Sequence, residues 1–227
     1  MLKALVFKEL RETIGIAVIA LLAYLAGIAN LIGYIILPFG MVRIFPQPLQ
    51  GRIPFLDAEF MSWFMIVSVG FAVALGLKQT VGESVRGTWL LLLHRPMERR
   101  NLTAIKLIVG MSLYLIVSAT AILIYSLWAA TPGTHPSPFY WWMTVHFWQV
   151  WLILALGYLG SFFAGVRPGR WFGTRLMPVA AAGVLAGLTG FVVVEAGWWF
   201  LGFMGFALLC AMFVGLILFM VRTRDYS

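Results

Sequence analysis

Side chains able to do chemistry are scarce in this sequence, and those present are scattered. His135 and His146 flank an aromatic run at 139–142, and Glu195 lies in a short polar interruption further on. Together they could move protons on a lipid at a membrane face. As a metal pair the two histidines lack a third ligand, and protein zinc sites use three or four donors. Asp57 and Glu59 could hold a cation, but in a proline-rich loop they read more simply as a solvated rim, with Asp57 capping the helix that follows. The one cysteine, Cys210, sits inside an apolar run; it allows no intrachain disulfide and reads as a small buried hydrophobe. Gly169-x-x-x-Gly173-Thr174 lacks the Gly-Lys-Ser/Thr ending and the flanking strand of a phosphate loop. The sequence contains no His-Glu-x-x-His and no evident Ser-His-Asp set. The remaining concentration of functional groups is the segment 78–106, the one long charged stretch between apolar ones.

That segment has internal order. Thr88 can cap a short helix by accepting from its first free amides. Pro96 bounds the helix, because the residue before a proline is pushed out of the helical region. Between them Trp89, Leu92 and Leu93 fall on one face at i, i+3, i+4 spacing. A short apolar helix in a basic loop needs a surface to dock against: a partner, or the chain's own helix ends.

The rest of the chain fixes where this loop sits. Hydrophobic residues make up 62% and charged residues 11% of the 227 positions, and the mean hydropathy is +0.96. Soluble domains carry about twice that charged fraction. The chain therefore reads as an all-α polytopic membrane protein, with 1–227 forming one transmembrane domain and no second, soluble domain. Apolar spans are expected at about 14–37, 60–77, 107–130, 145–164, 178–194 and 198–221. No small-residue cleavage site follows a short apolar core, so no removable signal peptide is expected. The formal charge of +8 does not imply nucleic acid as a partner, because the bases lie in short loops beside the spans. One side receives Lys3, Lys8, Arg11, Lys78, Arg86, Arg95, Arg99, Arg100, Lys106, Arg167, Arg170, Arg175, Arg222 and Arg224; the other receives Arg43 and Arg52. A Lys or Arg at mid-bilayer costs about 2.5–3.5 kcal/mol, so this division places both termini and the 78–106 loop in the cytoplasm.

Residues 1–12 mix Lys3, Lys8, Glu9, Arg11 and Glu12 with Leu2, Leu5, Val6 and Leu10, as an interfacial helix does. No charge is expected deep in any span. Polar residues that could face a cargo within the spans are mild: Tyr24, Asn30, Tyr114, Tyr125, Gln149, Tyr158 and Thr189. Gly183-x-x-x-Gly187 followed by Gly190 marks the fifth span as one that another helix can approach closely, within the chain or from a second chain. The aromatic cluster at 139–142, with Phe147, Trp148 and Trp151, suits a belt at the headgroup level.

The order Glu83, Arg86-Gly87-Thr88, Trp89, Leu92-Leu93, Pro96, Arg99 and a closing Lys106 resembles the cytoplasmic loop of ABC-2-type transporter permeases. Phe7-Lys8-Glu9-Leu10-Arg11-Glu12 similarly resembles the elbow helix that opens them. The resemblance implies six transmembrane helices, an N-terminal interfacial elbow and a coupling helix between the second and third spans. It also implies a permease subunit without a cofactor or catalytic residues of its own, paired with a second permease chain as a homo- or heterodimer. ATP would be hydrolysed by separate ATPase subunits seated on the Glu83–Pro96 loop, and a bacterial inner membrane is the expected location. An apolar or amphipathic cargo suits the mild residues of the spans. Two departures stand out: the outer turn at 195–197 is very short, and four leucines are followed by His94-Arg95. Two other classes stay open, a non-transporting membrane scaffold that recruits a partner and a membrane-embedded lipid enzyme using His135, His146 and Glu195.

Overall fold

Apolar segments of this length have no water to satisfy their amides, so the backbone must close its hydrogen bonds within each segment as a helix. The computed structural model describes residues 2–33, 53–56, 58–85, 98–135, 138–167 and 172–223. Among these there is no strand. The helices are α1 (Leu2–Ile32), α2 (Ala58–Val85), α3 (Arg99–Ala130), α4 (Val145–Val166), α5 (Phe172–Gly190) and α6 (Trp199–Thr223). Each is long and apolar enough to cross a membrane, α4 with the 3-10 turn Trp141–Thr144 before it and α5 with the π-helical turn Phe191–Glu195 after it.

Local chemistry sets the ends. Thr131 leaves α3 in an extended conformation, followed by Pro132 and by Gly133 at φ 83°. Arg167 leaves α4 extended, as the residue before a proline must. After α5 the amide of Ala196 bonds back to the Phe191 carbonyl at 3.0 Å, and Gly197 at φ 68° reverses the chain into α6. Each of the six expected spans lies on one of these helices, with ends shifted by a few residues; α1 is helical to Ile32, and 34–37 of the first expected span lie outside the described residues.

One expectation is corrected. Residues 2–12 are not a separate elbow; they continue without a break into the first span as α1. No proline or glycine interrupts 2–14, and the Thr13 hydroxyl is satisfied within the helix, donating to the Glu9 carbonyl at 2.7 Å across the expected joint. The segment is also held from the side, because Leu5 packs on Leu102.

The most buried helix is α4, which touches α2, α3, α5 and α6, whereas α6 is the least buried. Close approach in this core depends on small residues. A Cβ on Gly160 would lie 2.8 Å from the Pro178 carbonyl oxygen, one on Gly76 2.8 Å from the Phe162 amide, and one on Gly165 would collide with Thr80. These contacts join α4 to α5 and α2. Several buried Ser and Thr hydroxyls are satisfied along their own helices, as Thr80 to Gly76, Ser126 to Ile122 and Thr189 to Leu185 show.

Candidate functional site

At the end of the bundle where α2 closes and α3 begins, four helices bring polar side chains together out of solvent. Lys106 lies about two turns into α3 and meets Glu9 of α1, with Nζ to Oε1 at 3.0 Å and both side chains almost wholly buried. The side-chain amide of Gln79 on α2 donates to the Lys106 carbonyl at 3.2 Å. Tyr158 of α4 donates its hydroxyl to Gln79 Oε1 at 2.7 Å, with the Lys106 and Leu107 carbonyls at 3.4 and 3.3 Å. Gly110 makes room: a Cβ there would strike the Tyr158 hydroxyl and Gln79. Leu5, Leu102 and Ile105 form a small apolar cluster of their own between α1 and α3.

Burial of this pair within the chain is not what either residue suggests alone. Lys106 was expected to mark a helix end and Glu9 the polar side of an interfacial helix. Both are buried instead because they neutralise each other, and a charge can leave water only if it is paired. A trace of this is in the sequence. Arg99, Thr103, Lys106 and Gly110 recur at i, i+4, i+7 and i+11, a polar and small stripe on an otherwise apolar helix, and Glu9 and Thr13 repeat it on α1. What the sequence could not supply is which stripes face each other.

The opposite end is aromatic. Residues 53–56 form a turn in which the Leu56 amide bonds to the Ile53 carbonyl at 3.2 Å, with Phe55 at φ 66°. That backbone conformation favours glycine at the third turn position. Here it aims a buried phenyl ring into the bundle. The Phe55 centroid lies 4.8 Å from Tyr125 and 5.0 Å from Phe147, and Phe60 stacks on Phe147 at 5.0 Å. So Phe147 belongs to the core rather than to a belt, while Tyr140, Trp141 and Trp142 are exposed as a belt requires, and so are Trp198 and Trp199.

Glu83 is in the last turn of α2 and Arg99 opens α3, exposed; Arg86, Gly87, Thr88, Trp89, Leu92, Leu93 and Pro96 lie outside the described residues. Among the described residues, a Cβ on Gly183, Gly187 or Gly190 has no neighbour within 4 Å. They line an apolar groove of about 550 Å³ between α2, α4 and α5, with Met61, Val69 and Leu154 opposite. The tyrosines expected to face a cargo are core residues. Tyr24 bonds to Ser68 at 2.7 Å, Tyr114 to the Trp151 carbonyl at 3.4 Å, and Tyr158 belongs to the polar cluster. Tyr125 is likewise taken up by the aromatic end. His135 bonds through Nε2 to the Ala129 carbonyl at 2.7 Å, and His146 through Nδ1 to Gln149 at 3.2 Å. Each is thus engaged with its own neighbourhood. No group of three or more His, Cys, Asp or Glu among the described residues is placed to hold a metal ion.

No protein-family model, curated protein or solved structure matches this chain.

Proposed function

We propose that this chain is the permease subunit of an ABC-2-like transporter, pairing with a second permease chain and driven by separate ATPase subunits docked on the loop from Glu83 to Arg99. The observation that carries this reading is the placement of the buried polar cluster. The loop that resembles a coupling element joins α2 to α3. Just inside its two ends, Gln79 of α2 is bonded to α3, Tyr158 of α4 is bonded to Gln79, and Lys106 of α3 is paired with α1. A docked loop could not shift one of these helices alone: its displacement would pass to all four as a unit. Energetic coupling between sites needs such a physically connected element. In this reading the basic end faces the cytoplasm, in keeping with the excess of Lys and Arg there. The open face of Gly183 and Gly187 offers the second chain a close approach, and the cargo path is apolar.

The test uses the tagged full-length chain purified from its native membrane. Trp89→Ala should weaken co-purification of the ATPase, since truncating a buried aromatic anchor costs about 2 kcal/mol or more at an interface. Glu83→Ala should leave the complex assembled but blunt its ATP hydrolysis, because coupling between permease and ATPase is reciprocal. A scaffold would show the first effect without the second. Absence of any ATPase from the unsubstituted chain's complexes would overturn the reading.

A further inference from the structure

A second polar site lies at the same end but on the outside of the bundle. The first turn of α3 and the last turns of α6 enclose an open groove of about 700 Å³, lined on its polar side by Glu98, Arg99, Arg100 and Arg222 and on its apolar side by Leu218 and Phe219. Three arginines thus line it against a single glutamate. All three arginines are exposed, and Phe219 is 63% exposed, on the flank of a membrane-length helix. Leu218 and Phe219 come about a turn before Arg222 on α6, so they lie deeper in the span than the charges. The groove is therefore layered as a phospholipid is, with positive charge where headgroups lie and apolar surface where acyl chains begin. Guanidiniums suit phosphate oxygens because they can donate two parallel hydrogen bonds. The N-terminus of a 32-residue helix, α3, adds a favourable dipole for an anion.

We propose that this groove is a binding site for the phosphate headgroup of an anionic membrane phospholipid, with an acyl chain laid along Leu218 and Phe219. The site does not depend on the transporter reading, because it needs only the bilayer. The headgroup must carry net negative charge: a choline lipid would set its own cation among three arginines. Glu98 opposes the ligand and sets an upper limit on its affinity.

The full-length chain in detergent micelles is titrated with fluorescent phosphatidylglycerol and, separately, phosphatidylcholine, with folding checked by unfolding midpoint. Phosphatidylglycerol should bind more tightly. The double variant Arg100→Gln/Arg222→Gln should weaken its binding by roughly tenfold to thirtyfold, while Lys3→Gln, an exposed cation on α1 at the same end, should leave it within about twofold. Glu98→Gln should tighten binding, a gain that misfolding cannot imitate. Phe219→Ser should weaken phosphatidylglycerol binding but not that of soluble glycerol phosphate. Equal affinity for the two lipids, or equal losses from Lys3→Gln and the double arginine variant, would overturn the site. Full displacement by millimolar inorganic phosphate would make it a free-anion site instead. If the double variant lost the ATPase while keeping the lipid, the groove would be a protein-docking face and the lipid proposal would fail.

Discussion

The two ends of this bundle are held together by different physics. At the basic end the joints are directional: one ion pair and a chain of hydrogen bonds run from Glu9 through Lys106 and Gln79 to Tyr158. At the other end Phe55, Phe60, Phe64, Tyr125 and Phe147 meet as rings, with centroids 4.2 to 6.1 Å apart. Ring packing tolerates small slides, since offset and edge-on arrangements are close in energy. A buried ion pair does not, because separating it leaves two charges without solvent. The aromatic end can therefore adjust its packing while the basic end moves as one piece or breaks. An end that receives a force from a docked partner is better built in the second way.

The difference can be broken deliberately, and the largest effect should come from the ion pair. Lys106→Met strands the Glu9 carboxylate out of water and should cost about 3–5 kcal/mol, read from unfolding in mixed micelles. Phe60→Leu, at the centre of the ring cluster, should cost about 2 kcal/mol, from lost ring pairs and a small cavity. If the aromatic end adapts as described, the loss should stay at that level rather than reaching the cost of the ion pair. A smaller contrast separates two glycine sets. Gly160→Ala pushes a methyl against the Pro178 carbonyl and should cost about 1–2 kcal/mol. Gly187→Ala meets nothing among the described residues and should be neutral or gain up to about 1 kcal/mol from helix propensity in the isolated chain. A substantial loss at Gly187 that appears only in the oligomer would place that face between two chains.

The architecture was legible in the sequence because it rests on one-dimensional quantities. Span number and approximate position follow from run length and charge, and 60–77 and 107–130 fall wholly inside α2 and α3. What failed were inferences about facing. Lys106 alone is a helix-end marker; Lys106 opposite Glu9 is a buried joint, and no local pattern states that α1 and α3 are neighbours. Tyr24, Tyr114 and Tyr158 were candidate cargo contacts for the same reason: a tyrosine in a span is polar in one dimension and satisfied in three. The glycines went the other way. The Gly183-x-x-x-Gly187 spacing was visible, but among the described residues the contacts that need a glycine are at Gly27, Gly76, Gly110, Gly160, Gly165 and Gly202, where the partner's position decides and the spacing does not.

The central claim is that Glu9 and Lys106 act as one unit locking the helices beside the loop, and a double-mutant cycle measures that directly. Unfolding free energies are compared for the parent chain, Glu9→Gln, Lys106→Met and the double variant. If the two groups act as a pair, each single change is costly but the neutral double variant recovers much of the loss, giving a coupling energy of at least about 2 kcal/mol. If the two single losses simply add to within about 0.5 kcal/mol, the charges do not hold each other, and the basic end is not the rigid joint described.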